Sequence, residues 1–312
     1  MRRLLIDTDT GSDDVWAIIG ALRAVKLVKV EAITVVCGNV ALDLCVKNAL
    51  IAVNAARTYA PPVYSGMARP IMREKLFIAD YVHGKDGLSN LNLPDPPLKP
   101  ADGHAIDAII DVIMKNPGEI EIVTLGPLTN IAMAYLKEPE IAKNIKKIYI
   151  MGASGLDQGN ANPAAEFNVY VDPEAAKIIM HSGMNMLWVT WDICRGDPAI
   201  TPTDIAYLKG LHSPIADFCI ACTACLRDYE QKKYKDEAYG VIDSIIMMGV
   251  IYPEIFTGIC PAYCDVETKE GLTYGYVSID KHGQTHKEAN ALICQKVHAQ
   301  KYKEYLFNLL RA

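Results

Sequence analysis

Short β-rich apolar runs alternate along the chain with longer stretches of helical periodicity. Leu4-Leu5-Ile6 predicts a first strand. A helix over 14–27 follows, with Val15, Ile18, Ile19 and Leu22 on one face. Further strands are expected at 30–36, 120–125, 145–151 and 186–191, and further helices at 42–56, 104–115, 130–137 and 173–182. This βαβα alternation predicts an α/β fold: a single domain over residues 1–312, with a mostly parallel, Rossmann-like open sheet flanked by helices. The proline-rich stretch 91–100 reads as a surface connection. The polar, tyrosine-bearing stretch 229–240 reads either as a flap beside a site or as a solvated helix end.

Ligands of such sheets bind beyond the carboxyl ends of the strands. The polar clusters fall there: 7–14 after the first strand, Gly38-Asn39 after the second, Gly126-Pro127 after the third, and 151–168 after the fourth. Composition narrows the chemistry. A net charge of −6 without a basic block excludes a phosphate-backbone binder. The apolar stretches stop far short of the roughly 20 residues of a membrane span. The start of the chain carries no apolar leader, so a soluble cytoplasmic protein is expected. Nine cysteines, an odd number, include Cys222-Thr223-Ala224-Cys225 in a helical context. They read as reduced, mostly buried thiols.

Asp7-Thr8-Asp9-Thr10-Gly11-Ser12-Asp13-Asp14 places four carboxylates within eight residues, around a glycine that permits a tight turn. Ser12, Asp13 and Asp14 could cap the following helix. Capping accounts for one aspartate but not four, and a hard divalent cation would relieve the remaining repulsion. Carboxylates and carbonyls without a phosphate-binding lysine favour Ca²⁺ over Mg²⁺. No histidine is near enough in sequence to suggest zinc.

This segment closely resembles the amino-terminal signature of inosine-uridine-type nucleoside hydrolases. The resemblance continues through Val36-Cys37-Gly38-Asn39, His83-Gly84-Lys85-Asp86-Gly87-Leu88, Leu125-Gly126-Pro127-Leu128-Thr129-Asn130, Met151-Gly152, Asn160 and Glu166-Phe167-Asn168. It then takes in Val171-Asp172-Pro173-Glu174-Ala175-Ala176 and Asp243. It implies Ca²⁺-dependent hydrolysis of the N-glycosidic bond of ribonucleosides to base and ribose, in nucleoside salvage, by a homodimer or homotetramer. Asp9, Asp14, Asp243 and the carbonyl of Leu125 would hold the metal. Asp13, Asn39, Met151, Asn160, Glu166 and Asn168 would line the substrate site, most of them through the ribose hydroxyls. Asp9 would also be the general base toward a water. A carboxylate-rich pocket suits this chemistry, since cleavage builds positive charge on the sugar ring.

One position departs from the pattern. Relatives carry a histidine or a tryptophan immediately before the last metal aspartate, whereas here Ile242 precedes Asp243. The preferred base does not carry over, and the proton donor to the leaving base is displaced. His83, with an imidazole able to titrate near neutrality, is the expected donor and substrate contact; Tyr229 and Tyr234 are the alternatives. Trp188 and Trp191 are expected in the core, and Asp192 and Arg195 could line the pocket. Two competing readings exist: a phosphatase of the haloacid dehalogenase type, which leaves Asp13, Asp14 and the Glu166 block unexplained, and a non-catalytic nucleoside- or ribose-binding protein on the same scaffold.

Overall fold

The computed structural model describes residues 1–311. The strands are β1 (Arg2–Thr8), β2 (Val28–Val35), β3 (Val63–Ser65), β4 (Ile120–Thr124), β5 (Lys147–Met151), β6 (Met186–Val189), β7 (Ile259–Val266), β8 (Val277–Asp280) and β9 (Ala291–Cys294). Among the described residues they form one sheet in the order β3-β2-β1-β4-β5-β6-β9-β7-β8. Pairing is parallel from β3 across to β9 and antiparallel at β9–β7 and β7–β8. All five expected strands are present, in a parallel sheet as anticipated.

The helices are α1 (Asp14–Arg23), α2 (Leu42–Ala56), α3 (Asp80–His83), α4 (Ala105–Met114), α5 (Thr129–Lys137), α6 (Ile141–Asn144) and α7 (Phe167–Val171). They continue with α8 (Pro173–Met180), α9 (Pro202–Gly210), α10 (Pro214–Cys222), α11 (Ala224–Tyr234), α12 (Ile242–Ile251) and α13 (Ala299–Leu309). α1 is shorter than its apolar periodicity predicts: Leu27 belongs to the turn into β2, its amide donating to Ala24 O at 2.9 Å.

Central strands β1 and β4 are buried over nearly their whole length, including the polar Asp7, Glu121 and Thr124. One core on one side of the sheet joins Leu4, Ile6 and Trp16 to α1, α2, α10, α12 and α13. The other joins Leu5, Ile122 and Ile148 to α4, α5 and α8. The chain winds outward from β1 in both directions, to β2 and β3 on one side and β4 onward on the other. The carboxyl ends of β1 and β4, paired through Asp7 and Thr124, therefore flank the topological switch point. The described cysteines are all free, and no described helix is long and apolar enough to cross a membrane.

Candidate active site

Beyond Thr8 the chain turns through Gly11 into α1, and the whole turn is buried: Asp9, Thr10, Ser12 and Asp14 are fully covered. Capping does not explain the aspartates. Asp13 occupies the N-cap position of α1 without any side-chain capping bond. Asp14 instead accepts from Thr8 Oγ1 (2.5 Å), the Gly11 amide (2.8 Å) and Asn39 Nδ2 (3.2 Å). Asp243 enters from the first turn of α12, so two helix N-termini, with their positive partial charge, point at the same place. α1 and α12 can approach because Gly20 faces Met248, whose Cε would lie 2.8 Å from a β-carbon there.

Ligand oxygens of Asp13, Asp14 and Asp243 all lie within 4.8 Å of one another. Asp9 stands beside this trio rather than inside it. Its Oδ2 accepts from the Asn39 amide at 2.8 Å, and Gly38 and Gly126 press so closely on its side chain that a β-carbon on either would collide with it. Asp9 Oδ1 is buried without a hydrogen-bond partner. Burial, then the charge of Asp14, pushes the Asp9 carboxyl well up; burial and Asp14 likewise raise Asp13 to about 8. Burial followed by Asp13, Asp14 and Asp9 raises Asp243 well above the carboxylate range. An all-oxygen set of crowded, desolvated carboxylates with an unpartnered oxygen fits a hard cation.

Asp13 and Asp243 reach the floor of a pocket with an empty volume of about 690 Å³ counting its open mouth, while Asp9 and Asp14 are fully buried and do not line it. Asp13, Asn39, His83, Leu125, Met151, Asn160, Glu166, Asn168 and Asp243 all line it. Several also hold one another in place. Asn168 Nδ2 donates to Leu125 O at 2.7 Å, leaving that carbonyl a second lone pair. Glu166 caps α7 by accepting from the Asn168 (2.8 Å) and Val169 (3.2 Å) amides, yet burial still raises it to about 7. Asn160 Oδ1 accepts from the Phe167 amide at 2.8 Å.

Two expectations need correction. His83 is at the pocket, but burial pushes it down to about 4, not near neutrality. Its Nδ1 accepts from the Ser12 amide (3.3 Å) and lies 2.6 Å from Ser12 Oγ, which places the proton of the neutral ring on Nε2. It is a hydrogen-bond donor at neutral pH rather than a ready acid. Trp188 and Trp191 both lie in the core as expected, and Trp191 lines the pocket as well. β6 stops at Val189, and Trp191 opens a 3₁₀ turn that runs to Cys194. Asp192 and Arg195 stay outside the pocket. Asp192 Oδ2 accepts from the Leu156 amide at 3.0 Å, and Arg195 covers the outer face of the Tyr234 ring at 3.8 Å.

The upper wall comes from Tyr81 and Val82 on α3, Trp191, and Leu226, Tyr229, Glu230 and Tyr234 on α11. The stretch 229–240 is thus the end of α11 and a return, closed by a bridge between Ile200 and Tyr239. Sequence reasoning missed Glu230. Its spacing of four from both Leu226 and Tyr234 was the available signal, since it puts all three on one helical face.

Comparison with known proteins settles the family. The description "inosine-uridine preferring nucleoside hydrolase" matches residues 4–304. The chain belongs to that family. It is 34% identical to the pyrimidine-specific ribonucleoside hydrolase RihA of Salmonella gallinarum over 99% of this chain and 98% of that one. It is 35% identical to probable uridine nucleosidase 2 of Oryza sativa subsp. japonica over 89% of this chain and 82% of that one. A solved plant nucleoside hydrolase, PpNRh1, superposes with a TM-score of 0.92 at 31% identity, covering 100% and 99% of the two chains. A purine-preferring ribonucleoside hydrolase from Gardnerella vaginalis gives 0.90 at 27% identity, covering 99% and 98%. This nucleoside hydrolase is therefore an enzyme that cleaves nucleosides, on a fold shared with its solved relatives.

Proposed function

We propose that this nucleoside hydrolase cleaves the N-glycosidic bond of ribonucleosides with Ca²⁺ as its resident cation and Asp9 as general base. The observation that carries this reading is the buried trio Asp13, Asp14 and Asp243 beside Asp9, whose Oδ1 has no partner. Asp9, Asp14, Asp243 and the second lone pair of Leu125 O would hold the ion. When bound, it would supply Lewis-acid stabilisation and a fixed point for the ribose diol.

The chain's own residues account for the rest. Asp13, Asn39, Asn160, Glu166 and Asn168 surround the ribose and orient it through its hydroxyls. A 2′-deoxy sugar would leave buried polar groups unpaired, which selects for ribose. As the C1′–N bond lengthens, positive charge grows on the sugar ring and faces the carboxylates of the pocket floor. Asp9 takes a proton from the attacking water as the new C–O bond forms. His83 donates a hydrogen bond from Nε2. A phosphatase would not need the Asn160–Asn168 wall, and a pure binding protein would not need the crowded aspartates.

Asp9→Ala should lower kcat by roughly 10³-fold or more, as expected when a general base and a charge-stabilising group are lost together, with an unchanged cooperative melt. A folded Asp9→Ala enzyme with near-normal kcat would overturn the mechanism.

A further inference from the structure

Ile242 leaves the head of α12 without a proton donor, and burial holds His83 toward its neutral form, which turns attention to the remaining groups that can reach the departing base. Glycosidic cleavage of a nucleoside returns an electron pair to the base, and a ring nitrogen or carbonyl oxygen has to be protonated as it leaves.

Among the described residues of the upper wall, Glu230 carries the one carboxyl group. Glu230 projects from α11 between Leu226 and Tyr234, lines the pocket, and is 8% exposed. Its Oε2 accepts from the Gly240 amide at 3.0 Å, which fixes the group beside the turn that leads into Ile242 and Asp243. Oε1 makes no hydrogen bond within the described chain. The tyrosines are poorer donors. Tyr229's hydroxyl accepts from Lys233 Nζ at 2.9 Å, and burial raises the Tyr234 hydroxyl above its ordinary range.

We propose that Glu230 is the acid that protonates the departing base, in place of the group Ile242 has displaced. This rests on the hydrolysis proposed above. The step balances: the C1′–N bond breaks with its pair on the base, the Glu230 carboxyl proton passes to the base, the water oxygen bonds to C1′, and the water proton goes to Asp9. Proton exchange with solvent then resets both carboxyls.

The surroundings favour a carboxyl that is partly protonated near neutrality. Burial raises it to about 6, against the Gly240 amide and the cations Arg195 and Lys233, which favour the charged form. Asp236, at the end of the same segment, and Asp13, on the pocket floor, oppose that charge. Cys194, Tyr234 and Tyr239 face it as neutral groups.

The test compares Glu230→Gln with the unmodified enzyme on uridine, on inosine and on 4-nitrophenyl β-D-ribofuranoside, whose leaving group needs no proton. The glutamine keeps the size and the contact to Gly240. We expect kcat on the nucleosides to fall by roughly 10²-fold or more, the aryl riboside to be hydrolysed with a much smaller loss, and the basic limb of the nucleoside pH profile to disappear. In the unmodified enzyme that limb falls as pH rises through the ionisation of Glu230, because the protonated form is the active one. Glu230→Asp should restore part of the nucleoside rate. Parallel losses on both substrate types would make Glu230 a structural residue and overturn the proposal, as would an undiminished nucleoside rate. Failure of the unmodified enzyme to cleave any of the three would overturn the underlying hydrolysis and this step with it.

Discussion

Asp9, Asp13, Asp14 and Asp243 share a desolvated volume in which four ionised carboxylates repel one another. Burial is the common and largest cause of their raised pKa values, and the neighbouring carboxylates raise Asp9, Asp13 and Asp243 further, so without a cation the group favours holding protons. Linkage gives the consequence for stability. For a carboxyl whose pKa in the fold stands above its unfolded value of 3.8, stabilisation is complete below that value. It is then lost as pH rises through the folded value, about 8 for Asp13. The chelated protein should therefore melt at a lower temperature near pH 8 than near pH 5. Added Ca²⁺ should restore the loss at the higher pH and do little at the lower one, since binding must displace protons there. A melting temperature insensitive to Ca²⁺ at pH 8 would contradict a cation among these residues.

The elements matter through the glycines that let their ends converge. Gly38, after β2, and Gly126, after β4, clasp the side chain of Asp9 from two sides. A β-carbon at Gly38 would meet the Asp9 carboxylate, so Gly38→Ala should move Asp9 rather than the sheet. The expected result is a large fall in kcat with a small change in melting temperature, read by steady-state kinetics and thermal denaturation together. Unchanged turnover would show that Asp9's position is not critical. The strands that carry these ends were legible because β1, β4 and β5 are buried over most of their length and carry apolar residues at most buried positions. The β7–β9 segment was not. β7 alternates exposed and buried positions and contains Pro261, and β9 has only four residues, so neither presents a run long enough to distinguish from loop. α9 has a single buried residue, Leu208, and gives almost no apolar stripe to read.

At the scale of the whole molecule, the pocket divides into a floor that the sequence displays and a wall that only tertiary structure assembles. The floor was legible since its aspartates are crowded into one strand-end turn, a pattern with no ordinary surface explanation. The wall draws Tyr81, Trp191, Tyr229, Glu230 and Ile242 from segments separated by up to 161 positions. Each of these looks like a core or surface residue in its own stretch; Trp191 is a core residue whose second role in the pocket was not visible, and Glu230 was passed over. His83 was located correctly but not its ionisation, which depends on burial by neighbours distant in sequence. The measurement that bears most directly on the central claim is ribose release from inosine, adenosine, guanosine, uridine and cytidine, with and without a tight Ca²⁺ chelator. The account predicts release that the chelator abolishes and that added Ca²⁺ restores. Release indifferent to chelation, or none from any of the five nucleosides, would contradict it.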